Sequence, residues 1–124
     1  MTAIFFRDEP VQLDPDALQG LIDQMGEREA NDVVCCAMEE LAIRLADLPA
    51  LYRARRLTEV GRLAHSLIGI AEQIGLASLS RAASNVVDCT RRGDTIALSS
   101  TLARLERTGE RSLSTIWDLR DRSV

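Results

Sequence analysis

Leu57-Thr58-Glu59-Val60-Gly61-Arg62-Leu63-Ala64-His65-Ser66-Leu67-Ile68-Gly69-Ile70-Ala71-Glu72-Gln73-Ile74-Gly75-Leu76-Ala77-Ser78-Leu79 is the stretch from which the fold class is read. At roughly 100° per residue, Leu57, Val60, Leu63, Ala64, Leu67, Ile68, Ile70, Ala71 and Ile74 share one broad apolar face, as in a helix with one side buried. His65, the only histidine of the chain, falls about 140° from the centre of that face and points to water. It is read as the functional residue. Gly61 and Gly69 lie one turn to either side of it, and a glycine inside a helix costs about 1 kcal/mol against alanine. Something must offset that cost. Either bare backbone lets another protein's surface approach the imidazole, or a neighbouring helix packs closely at the glycines; the spacing leaves both readings open.

The rest of the composition agrees with helices. With 124 residues the chain can bury one core without disulfides or metals, so a single domain over 13–124 is expected, preceded by an arm over 1–12. In the arm Ile4, Phe5 and Phe6 are apolar, with Phe5 and Phe6 suited to covering the core or, as the alternative, a second subunit, and Pro10 blocks a helix. Leucine and alanine dominate and no run of β-branched residues alternates, which makes the class all-α. No segment approaches the roughly 20 apolar residues that span a bilayer, and no basic N-terminal region precedes an apolar run. The expectation is a cytoplasmic protein without membrane insertion. A net charge of −4 with no basic stripe interleaved with aromatics argues against nucleic acid. Cys35, Cys36 and Cys89 are expected to be reduced core or boundary residues, since adjacent cysteines in a helix do not bridge easily. One histidine and no Cys-x-x-Cys pair leave no metal site.

Taken in order, the first helix signal is Leu13-Asp14-Pro15-Asp16. Asp14 can cap free amides, Pro15 suits the first helical position, and Asp16 favours the positive end of the dipole. That short helix runs to Met25, closed by Gly26, and is expected to lie across the end of a larger bundle. A second helix runs from Glu27 to Asp47 with Val34, Met38, Leu41, Leu45 and Leu48 inward; Pro49 interrupts it, and a further short turn carries Leu51 and Tyr52. Arg53, Arg55 and Arg56 read as a solvated connector. The central helix ends at Gly75, Ser78 caps the fourth, and Gly93 closes it. Asp94 caps the fifth, whose inward set is Leu98, Leu102, Leu105, Leu113, Ile116 and Leu119, with Gly109 bending or breaking it midway. Short connections imply antiparallel neighbours, hence an up-and-down antiparallel four-helix bundle with an additional short N-terminal helix.

Leu63-Ala64-His65-Ser66-Leu67-Ile68-Gly69-Ile70-Ala71, followed by Ile74-Gly75-Leu76, Leu79 and Arg92-Gly93-Asp94, resembles the histidine-containing phosphotransfer (HPt) family, whose pattern is Ala-His-Ser/Thr-Leu-Lys-Gly-Ser/Ala-Ala. The resemblance covers roughly residues 13 to 122. It implies a carrier in a multistep two-component phosphorelay, with His65 as phosphoacceptor, receiver domains of response regulators or a hybrid histidine kinase as partners, and no cofactor on this chain, the magnesium being the receiver's. The chemistry of the residues is compatible. A neutral imidazole is a nucleophile near neutral pH, and a receiver can supply most of the charge stabilisation. No phosphate-binding loop suggests ATP as direct donor.

The family's lysine three residues after the histidine is Ile68 here. An isoleucine offers no charge but an apolar contact. Arg62, one turn before His65, and Arg81, on the following helix, are candidate substitutes for screening phosphate. Gly61, Ile68, Gly69 and Glu72 form the expected docking strip around His65. The departure keeps a second reading open, an HPt-like adaptor or inhibitor that binds a kinase or receiver without being phosphorylated. A third is a plain helical interaction protein with His65 incidental. Too few catalytic groups are present for a metabolic enzyme, so the chain is read as a phosphocarrier instead.

Overall fold

The computed structural model describes residues 13–122, with side chains described to residue 118. The expected arm over 1–12, with Phe5 and Phe6, and the Leu119 side chain lie outside the described residues. Five helices follow in order: α1 (Pro15–Met25), α2 (Glu27–Arg53), α3 (Leu57–Gln73), α4 (Ala77–Arg92) and α5 (Thr95–Arg122). Helices α2 to α5 pack each on its chain neighbour and α2 closes on α5, giving the antiparallel four-helix bundle expected; α1 lies on α2. The apolar faces read from the sequence meet in one cluster that includes Leu41, Leu48, Val60, Leu67, Leu79, Val86, Leu98 and Leu105. Each large side chain buried in this way contributes roughly 1.5–3 kcal/mol.

Local chemistry sets the ends. Asp14 accepts a hydrogen bond from the Asp16 amide at 3.0 Å and Pro15 opens α1. After α3, the Leu76 amide returns to the Ala71 carbonyl at 2.8 Å and the Gly75 amide to Glu72 at 3.2 Å, with Gly75 left-handed at φ 77°. After α4 the same pair of bonds joins Asp94 to Cys89 and Gly93 to Thr90, with Gly93 left-handed at φ 67°. These are the 6→1 and 5→2 closures that satisfy orphan carbonyls at a helix end. Asp94 then caps α5, accepting from the Ala97 amide at 3.0 Å. The start of α1 is fastened across the α3–α4 turn: the Asp14 amide donates to the Gly75 carbonyl at 2.7 Å, and Leu13 bridges Leu76. This is the end-capping position anticipated for α1.

Four expectations need correction. Pro49 does not end α2, which continues to Arg53. Leu48 is fully buried and Leu51 and Tyr52 pack against the core, so the burial beyond the proline offsets a defect of about 3 kcal/mol. Ser78 is not the cap of α4. The helix starts at Ala77 behind Leu76, whose side chain has no acceptor to cap it and is instead buried where Leu76 bridges Leu13. Gly109 does not break α5, which runs on from Thr95 to Arg122. A Cβ there would meet Leu45 Cδ1 at 2.6 Å, so the glycine is where α2 approaches α5. Finally, Cys89 is buried and Cys35 half-buried, but Cys36 is exposed. Among the described residues no helix is long and apolar enough to cross a membrane.

Candidate functional site

His65 stands in the middle of α3, exposed, while Ala64 and Leu67, turned about 100° and more away from it, are fully buried. It makes no hydrogen bond to any described residue, so the ring is held only by its place on the helix. Its neighbour Ser66 turns its hydroxyl back to the Leu63 carbonyl at 2.6 Å and is not available to orient the imidazole.

The two flanking glycines have different reasons. A Cβ on Gly69 would meet nothing within 4 Å, whereas one on Gly61 would lie 2.7 Å from Thr90 Oγ1. Gly61 is therefore a point of close approach between α3 and α4, and Gly69 is open on the exposed side. Thr90 is itself committed, donating to the Val87 carbonyl at 2.8 Å. With Gly61 opposite Thr90 and Ser80 donating to Glu72 at 3.1 Å, the antiparallel register sets His65 level with Val86 and Val87.

That register opens a groove of about 480 Å³ beside His65, lined by Leu57, Thr58, Gly61, Arg62, His65, Val87, Thr90 and Arg91. Arg62 belongs to it, as one-turn spacing suggested. Arg81 does not line it: the register sets Arg81 level with Ile70, about 7.5 Å further along the axis than His65. Its place is taken by Arg91, which the sequence reading missed. The available signal was the α3–α4 turn at Gly75, from which counting outward on both helices brings Arg91 close to the level of Gly61. Glu72 is exposed but held by Ser80, and Ile68 is half-buried against the core, so of the expected docking strip only His65, Gly69 and Glu72 are fully exposed. On the other flank of α3 a smaller groove of about 300 Å³ is lined by Asp32, Val33, Cys36, Ala37, Glu40, Ile70 and Gln73. That second groove meets α3 only at Ile70 and Gln73, beyond His65, so the groove beside the imidazole is the one with two guanidinium groups.

No protein-family model and no curated protein matches the chain. Among solved structures it is similar to the crystal structure of histidine-containing phosphotransfer protein B (HptB) from Pseudomonas aeruginosa PAO1, with a TM-score of 0.82 and 22% identity over 90% of this chain and 96% of that one. What the two chains share at that identity is the fold, and the fold of this chain is an HPt-like helical bundle.

Proposed function

We propose that this chain is a histidine phosphotransfer protein of a multistep phosphorelay. A ring nitrogen of His65 attacks the phosphorus of an aspartyl phosphate on a receiver domain. The nitrogen–phosphorus bond forms as the phosphorus–oxygen bond breaks, and the receiver's carboxylate leaves. Passing the group to a second receiver reverses these events with a different aspartate. The observation that carries the reading is an exposed imidazole at mid-helix on an HPt-like bundle, with open space at Gly69. Such a step is positioning and electrostatics, so the carrier needs little beyond the ring, while the receiver brings the magnesium. Partners are receiver domains or a hybrid histidine kinase in the cytoplasm, docking over His65, Gly69 and Glu72 with Gly61 and Ile68 at the edge.

A second reading, an adaptor that binds receiver or kinase without taking the phosphoryl group, is favoured by Ile68 at the position of the family's lysine. One experiment separates them. The purified chain is incubated with a phosphorylated receiver domain and assayed for acid-labile, base-stable label. Label lost in His65→Gln supports the carrier; binding without label supports the adaptor; neither leaves His65 incidental.

A further inference from the structure

We propose that the groove between α3 and α4 is the resting place of the phosphoryl group on His65, with Arg62 and Arg91 supplying from that side the positive charge that Ile68 lacks. This rests on the phosphocarrier reading of His65 and adds to it a direction and two positioning residues.

Both guanidinium groups line the same open groove as the imidazole, and among the described residues no carboxylate lines it. Two other arginines of the bundle surface are neutralised by acids, Arg56 by Glu59 at 2.6 Å and Arg44 by Glu40 at 3.9 Å. Arg62 and Arg91 have no hydrogen bond or ion pair to a described residue. Two unneutralised cations in one groove run against the net charge of −4 of the whole chain. A basic residue in the last turn of α4 has an ordinary explanation at a helix C-terminus, but that does not extend to Arg62, which lies well inside α3. A dianionic group on the ring is attracted to the flank that carries the two guanidinium groups, so the charge beside His65 selects the α4 flank. Gly61 makes the arrangement possible, because the absence of a Cβ lets α4 come close enough for its last turn to share a groove with His65. Charge-assisted bonds from guanidinium to phosphoryl oxygens need that closeness.

The test uses phosphoramidate, whose nitrogen–phosphorus bond breaks as the ring nitrogen bonds to phosphorus and ammonia leaves, so no receiver is needed. The phosphorylated chain is followed by phosphorus NMR against pH. Neighbouring cations favour the dianion and lower the titration midpoint of the phosphoryl group. The midpoint of Arg62→Gln/Arg91→Gln is expected to rise by about one pH unit over wild type, and Arg62→Lys/Arg91→Lys to restore it. A merely structural role for either arginine would not move the midpoint or be rescued by charge. An unchanged midpoint in the glutamine variant overturns the proposal, as does failure of wild-type His65 to take the group from so small a donor. A wild-type chain that titrates as expected yet accepts nothing from any receiver would sink the relay reading and leave the groove standing.

Discussion

At the scale of single residues, the glycines flanking His65 show how equal sequence cost can have unequal cause. Gly69→Ala is expected to stabilise the protein by up to about 1 kcal/mol, since a Cβ there meets nothing and the helix gains its ordinary propensity. Gly61→Ala is expected to destabilise it by roughly 1–3 kcal/mol, because the added methyl lies 2.7 Å from a hydroxyl already bonded to Val87. Urea midpoints of the two variants check this pair, and equal shifts would refute the assigned causes. Gly69→Leu should fold normally yet slow transfer from a receiver by crowding the approach to His65; an unaltered rate would mean that the partner docks elsewhere. A further residue is set apart by burial alone. Ser112 is fully buried and its hydroxyl has no hydrogen-bond partner among the described residues. Leaving a polar group so costs roughly 1–3 kcal/mol, so Ser112→Ala is expected to raise the thermal midpoint.

At the scale of helices, the sequence was legible where a residue acts through its own backbone. Asp14, Gly26, Gly75, Gly93 and Asp94 terminate or cap helices by local geometry, and all five do so where expected. Pro49, Ser78 and Gly109 were misread because their roles are set by what packs on them, which no local rule contains. The proline case leads to a measurement. Pro49 removes one amide from α2 and crowds the carbonyl of Leu45, and the helix survives on the burial of Leu48. Pro49→Ala restores the amide and is expected to stabilise the chain by roughly 1–2 kcal/mol, the proline's defect less the contacts of its half-buried ring. A higher urea midpoint with unchanged slope is the expected result, and a lower midpoint would mean that the ring's packing outweighs the missing bond.

At the scale of the whole molecule, the parts that hold the bundle together and the parts that do chemistry are separated along α3. His65 was legible because a single helix period fixes which residues face water, but Arg91 was not, because its nearness to His65 exists only once α4 folds back along α3. That fold-back is made at Gly75, ten residues and about 15 Å along the axis from His65. Gly75 is constrained twice: it is left-handed at φ 77°, and a Cβ on it would meet the Asp14 carbonyl oxygen at 2.6 Å. Gly75→Ala therefore strains the turn and pushes α1 off its anchor, with an expected loss of roughly 2 kcal/mol or more. The bundle core of Leu67, Leu79 and Val86 below the turn is untouched by that change, so the register that brings Arg91 beside His65 should persist. Transfer to His65, scaled to the folded fraction, is then expected to match wild type while the urea midpoint falls. A parallel loss of transfer would mean that the α1 end of the bundle also governs the groove, and that site and scaffold are not separable along the helix.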